Sequence, residues 1–141
     1  MIVTFPQLPS IAEDILKHLQ SGDVLALSGP LASGKTTLTQ HILKEMGYDG
    51  RVTSPTFVLE KHYPVDHNGI KEVVHLDFYR LKPEELTSFG WKDYLGAAKT
   101  LTIIEWPEIG LEHFPPNIKS IKLEIIDDQT RKFTPSKNLG F

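Results

Sequence analysis

The sequence predicts an α/β protein: a three-layer P-loop NTPase-like fold around a mixed parallel and antiparallel central sheet. Three observations lead there. Short apolar runs alternate with helical periodicity over the first half of the chain, as in parallel strands joined by helices. A glycine-bounded segment, Gly29-Pro30-Leu31-Ala32-Ser33-Gly34-Lys35-Thr36, sits between one such run and one such helix. Two later stretches carry hairpin signals, which make part of the sheet antiparallel.

Taken in order, Ser10-Ile11-Ala12-Glu13 fits a capping box, and Ile11, Ile15 and Leu19 continue as one helical stripe. Ser21-Gly22-Asp23 stops that helix. Val24–Ser28 is a short apolar run between turn residues and reads as a buried strand. The helix over 36–46 places Leu38, Ile42 and Met46 on one face, with Gly47 as its C-terminal cap. Strands follow over 57–65 and 70–78, joined by Asp66-His67-Asn68-Gly69, whose Asn-Gly pair favours a tight hairpin turn. Pro83-Glu84-Glu85 opens a helix that Gly90 ends. Leu101–Glu105 is another buried strand. Segments 118–126 and 131–134 form a closing hairpin around Asp127-Asp128-Gln129-Thr130.

The 141 residues are expected to form a single domain, 1–141. A chain of this length buries roughly 68–70% of its unfolded surface and needs no staple. With no cysteine there is no thiol nucleophile, disulfide or Cys-ligated metal. A net charge of −3 argues against gripping nucleic acid unaided. With no long apolar run and no signal-like start, the expected setting is cytoplasmic, without a membrane.

The 29–36 segment matches G-x-x-x-x-G-K-[ST] in its required strand–loop–helix context. Glycines let backbone N–H groups turn around phosphate oxygens, and the helix start supplies unpaired donors. Lys35 would reach the β- and γ-phosphates and the Thr36 hydroxyl would bind Mg²⁺. A nucleotide-bound Mg²⁺ usually takes a strand-end carboxylate, and both Asp77 and Glu105 end apolar runs. Either one would serve as metal ligand or as orienter of the attacking water. Ser54-Pro55-Thr56 is a switch-like segment whose Thr would sense the γ-phosphate, or an ordinary turn. Trp106 would stack on a base or a partner, or simply pack. The histidines have no metal-ligand spacing, and His62 and His75 are expected to line the two hairpin strands.

Neighbouring classes fit less well. No N-K-x-D supports a GTPase, and the D-x-x-G match at Asp66–Gly69 is better explained as the hairpin turn. The arginines, Arg51, Arg80 and Arg131, are too scattered for the lid of a small-molecule P-loop kinase. A nucleotide-dependent interaction module with negligible catalysis is the remaining alternative.

Four ordered blocks, Gly29–Thr37, Thr53–Phe57, His75–Leu81 and Ile104–Glu108, together resemble the TsaE family, small bacterial ATPases of tRNA threonylcarbamoyladenosine synthesis. The resemblance implies ATP and Mg²⁺ as cofactors, slow hydrolysis by the protein alone, and work beside TsaD and TsaB, with tRNA met only through those partners. It implies a catalytic set of Lys35, Asp77, Glu105 and Thr56, with Thr36 and Glu105 on the metal. The nucleotide would be held by Gly29, Leu31, Ala32, Ser33, Gly34, Lys35, Thr36, Thr37 and Trp106. Ser10 stands near the place of a family Thr that contacts the nucleotide, although its capping-box role also explains it. The family loop usually reads G-D-L-G-A-G-K-T-T. Here Pro30 replaces the acid and removes one N–H, Ala32 replaces a glycine, and Ser33 replaces an alanine. Ala32 must therefore adopt a conformation that glycine normally serves.

Overall fold

In the computed structural model, which describes residues 1–86 and 90–140, seven strands form one sheet. They are β1 (Ile2–Thr4), β2 (Val24–Ser28), β3 (Glu60–His67), β4 (Ile70–Asp77), β5 (Thr100–Glu105), β6 (Lys119–Asp127) and β7 (Thr130–Pro135), in the spatial order β1-β7-β6-β2-β5-β4-β3. The central strands β6, β2, β5 and β4 run parallel, while β3, β7 and β1 pair antiparallel at the flanks. The mixed sheet is thus as expected, with parallel pairing in the middle and hairpins on either side. Asn68 and Gly69, at φ 47° and 83°, make the two-residue turn between β3 and β4.

Alternation along the strands divides the core in two. Leu25 and Leu27 of β2 and Leu101 and Ile103 of β5 face α1 (Leu8–Leu16) and α2 (Lys35–Glu45), packing with Ala12, Ile15, Leu38 and Ile42. Val24, Val74, Leu76 and Ile104 point the other way, onto Phe78, Leu86 and Trp91. That second face is layered by 3₁₀ turns at Pro83–Glu85, Trp91–Tyr94 and Pro107–His113 rather than by an α-helix among the described residues. Each fully buried Leu contributes about 1.5–3 kcal/mol relative to exposure, so both faces are strongly held.

Three expectations need correction. First, α1 begins at Leu8, so Ser10 lies inside its first turn, exposed, and caps nothing. The entry is made instead by Thr4 and Gln7, whose side-chain oxygen takes the Thr4 N–H at 2.8 Å and its hydroxyl at 3.1 Å. Pro9 needs no partner for its missing N–H in a first turn, which lets the helix start before it and bury Leu8. Second, β3 starts at Glu60 rather than 57, because the N–H groups of Val58 and Leu59 both return to the Pro55 carbonyl (3.0 and 2.7 Å). Third, only a turn at Pro83–Glu85 is seen of the helix expected up to Gly90; positions 87–89 lie outside the described residues. The Trp91 indole N–H takes the Leu86 carbonyl, which an α-helix would have given to the N–H of Gly90.

Candidate active site

The phosphate loop leaves the C-terminal end of β2 and enters α2 at Gly34, which caps it at φ 105°. The N–H groups of the first helical turn have no intrahelical acceptor and open toward a cavity of about 290 Å³. Gly29 cannot carry a side chain: a Cβ there would lie 2.5 Å from the Leu123 carbonyl oxygen. Ala32 does adopt the left-handed conformation, at φ 64°. Ser33 is buried, and its hydroxyl has no partner among the described residues.

Lys35 Nζ donates to the Gly29 carbonyl at 2.6 Å and the Pro30 carbonyl at 3.0 Å, and lies 4.0 Å from the centre of the Trp106 ring. Burial pushes its ammonium below the ordinary lysine range, opposed by the nearby carboxylates of Glu105, Asp77 and Glu108. Trp106 is half-buried, left-handed at φ 56°, and packs on Tyr79 with ring centres 4.7 Å apart.

The two strand-end acids are register partners, Asp77 on β4 opposite Glu105 on β5. Both lie on the α2 face, because they continue the alternation of Val73 and of Leu101 and Ile103. The Thr36 hydroxyl bridges the Glu105 carboxylate at 2.8 and 3.0 Å. The fully buried His75 presents Nε2 to the same carboxylate at 2.6 Å; because a carboxylate can only accept, this nitrogen carries the proton. Asp77 accepts from Thr56 at 2.7 Å and from Ser54 at 3.2 Å, and its other oxygen takes the Tyr79 N–H at 2.8 Å.

Lys35, Thr36, Thr56, Asp77, Glu105 and Trp106 thus converge on one cavity, together with Leu31, Ala32, Ser33, Gly34 and Thr37. Gly29 reaches the site through its carbonyl on Lys35. Ser10 is not part of it and does not line the cavity. Besides Ser54, which entered only as part of the switch-like segment, three lining residues were not singled out from sequence: Phe5, Tyr79 and Arg131. His75, expected merely to line a strand, instead orients Glu105; the two-residue spacing of Val73, His75 and Asp77 was the available signal. A larger hollow of about 480 Å³ beside Lys44, Tyr48 and Arg51 contains neither the phosphate loop nor a strand-end carboxylate.

The donor chemistry fits a nucleotide polyphosphate with a hard divalent cation. First-turn amides, the orphaned Ser33 hydroxyl and Lys35 suit phosphate oxygens. Thr36 and Glu105 form an oxygen pair of the kind Mg²⁺ takes from a protein when phosphates complete its shell. No group of three or more His, Cys, Asp or Glu residues suited to a metal occurs among the described residues.

A family model described as threonylcarbamoyl adenosine biosynthesis protein TsaE matches residues 4–133. The chain belongs to the TsaE family. Among its relatives, the tRNA threonylcarbamoyladenosine biosynthesis protein TsaE of Haemophilus influenzae is 37% identical over 132 residues, 92% of this chain and 81% of that protein. The TsaE of Bacillus subtilis is 30% identical over 125 residues, 89% of this chain and 76% of that protein. The crystal structure of YdiB from Bacillus subtilis superposes with a TM-score of 0.77 at 25% identity, covering 96% of this chain and 82% of that one. Membership in the TsaE family and the mixed α/β sheet were both anticipated from sequence. The family assignment also makes this chain a P-loop protein of threonylcarbamoyladenosine biosynthesis.

Proposed function

We propose that this chain binds ATP with Mg²⁺ in the phosphate-loop cavity and hydrolyses it slowly, as the ATPase subunit that acts with TsaD and TsaB in modifying tRNA. The observation that carries this reading is the juxtaposition of Thr36 and Glu105 at the mouth of the loop, with Asp77 beside them in register. In it, Lys35 and the loop amides hold the phosphates, and Thr36 and Glu105 hold the metal. When bound, Mg²⁺ would neutralise charge on the β- and γ-phosphate oxygens. Asp77 orients water toward the terminal phosphate, and Thr56, hydrogen-bonded to it, links that step to the Ser54–Thr56 segment. Trp106 covers Lys35 and limits water at the phosphates.

A net charge of −3 supports contact with tRNA through the partners rather than directly. No described helix is long and apolar enough to cross a membrane, which is compatible with a cytoplasmic place. We take residues 1–141 as one domain, because β1 and β7 complete the same sheet that carries the site. The kinase alternative is disfavoured by the arginines: Arg80 lies 4.3 Å from the Phe57 ring centre and Arg131 is engaged with backbone carbonyls.

The test is ATP hydrolysis with Mg²⁺, by the chain alone and then with TsaB, TsaD and tRNA, using Lys35→Ala as control. Slow turnover that rises with the partners and disappears in the variant is expected. Bound ATP that stays intact in every mixture would instead favour an interaction module, and faster transfer to a small hydroxyl compound than to water would favour a kinase.

A further inference from the structure

Arg131, on β7, reaches back across 98 and 99 positions of sequence to the phosphate loop. Its Nε–H donates to the Ser33 carbonyl and its Nη2–H to the Ala32 carbonyl, both at 3.1 Å. Its Nη1 donates to the carbonyls of Asp127 at 2.6 Å and Thr130 at 3.0 Å, in the turn between β6 and β7. One guanidinium thus ties two consecutive loop carbonyls to a hairpin on the other side of β2. The Phe5 ring lies against it at 5.3 Å. None of the ion pairs among the described residues involves Arg131.

The gripped carbonyls are those of the loop's strained residue and of the residue after it. Ala32 has a positive φ of 64°, which its Cβ disfavours and glycine would tolerate. A trans peptide unit is close to planar, so fixing its carbonyl fixes the N–H on the opposite side of the same unit. Holding the Ser33 carbonyl toward Arg131 turns the Gly34 N–H away from it, and Gly34 lines the cavity. Four of the guanidinium's five N–H groups are already committed to carbonyls, which leaves little for a direct hold on phosphate.

We propose that Arg131 is a positioning residue for the phosphate loop: by gripping the carbonyls of Ala32 and Ser33 it holds Ala32 left-handed and pre-sets the Gly34 amide at the entry to α2 for a nucleotide polyphosphate. This rests on the nucleotide reading of the same cavity. It also accounts for how the loop works with alanine where a glycine is usual. Pre-setting that amide lowers the ordering cost of binding, so its loss weakens affinity even with the loop's own phosphate donors intact.

The experiment is a double-mutant cycle on ADP and ATP affinity, by calorimetry, in R131A, A32G and the double variant. R131A is expected to weaken binding about tenfold, the size of a lost charged hydrogen-bonding partner. With glycine at 32 the same R131A change is expected to cost much less, a coupling between residues in contact. R131K is expected to recover little, since a single ammonium cannot span two carbonyls as a planar fork does. Should R131A fold poorly, R131M keeps the side-chain stem against Phe5 and is read in the same way. Amide hydrogen exchange over 31–35, measured without nucleotide, supplies a second readout and is expected to quicken in R131A or R131M. Unchanged affinity and exchange overturn the proposal. An equal loss with alanine or glycine at 32 also overturns it, because Arg131 would then act on the nucleotide itself. If the unaltered chain binds no nucleotide, the nucleotide reading fails, and the exchange rates still decide whether Arg131 orders the loop.

Discussion

Asp77 and Glu105 occupy equivalent places, facing each other at the ends of two parallel strands, and both are nearly inaccessible at 1% and 3% exposure. They differ in what holds them. Glu105 is fixed by regular structure: Thr36 in the first turn of α2 and His75 within β4. Asp77 is fixed by Thr56, Ser54 and the Tyr79 N–H, which belong to neither a helix nor a strand. Loops open at lower free-energy cost than the elements they join, so one carboxylate is anchored and the other can change partners. A site that must bind a metal in constant geometry and also respond to its nucleotide is served by that division.

The contrast can be broken in several ways. The largest effect is expected from Lys35→Ala, which removes the cation that interacts with both carboxylates. Nucleotide affinity should fall about 100-fold, roughly 2.7 kcal/mol, by calorimetric titration. Next come the acids themselves. Glu105→Ala leaves the Thr36 hydroxyl and the buried His75 Nε2–H unpaired, and should cost about 2 kcal/mol in urea unfolding. Asp77→Ala frees hydroxyls in a loop that can turn to water, and should cost about 1 kcal/mol. Equal costs would remove the distinction between an anchored and a releasable acid. Thr56→Val should lower ATP turnover about tenfold while shifting stability by less than about 1 kcal/mol, since it releases Asp77 and leaves the core untouched.

The smallest effect concerns a histidine outside the site. His62 lies between Glu72 at 2.7 Å and Glu60 at 2.6 Å. Burial alone would lower its pKa, but the hydrogen bonds and charges of the two acids outweigh it and hold it above the ordinary histidine value. A raised pKa means the folded state binds the proton more tightly. The stabilisation is therefore complete below about pH 6.5 and is lost as pH rises through the raised value. His62→Ala should shift the urea midpoint more at pH 6 than at pH 9.

What the sequence made legible follows the range of the interactions involved. The phosphate loop, β2, α2, the Asn-Gly hairpin and β5 are set by residues adjacent in the chain, and reading them locally sufficed. The start of α1 was misplaced because Ser10-x-x-Glu13 and Thr4-x-x-Gln7 are competing cap signals; burial of Leu8 decided between them. Of the helix expected from Pro83 to Gly90, Pro83–Glu85 forms a 3₁₀ turn, 87–89 lie outside the described residues, and the carbonyl of Leu86 is taken by the Trp91 ring five positions on. Lys35, Thr36, Asp77 and Glu105 were legible from motif and strand-end position. Arg131 was not, because its link to the loop spans most of the chain and no local pattern marks it. His75 lay in between: alternation with Asp77 gave its face, but only the register of β4 with β5 brings it to Glu105.

The placement of the two tryptophans gives the molecule an optical gauge. Trp91 is wholly enclosed and does not line the phosphate-loop cavity, so its emission forms a steady background. Trp106 has the Lys35 ammonium 4.0 Å from its ring centre. An indole's excited state shifts charge across the ring, so its fluorescence responds to a cation held over that face. Any ligand that draws Lys35 away from Trp106 therefore changes the colour or intensity of the light the protein emits, with no label attached.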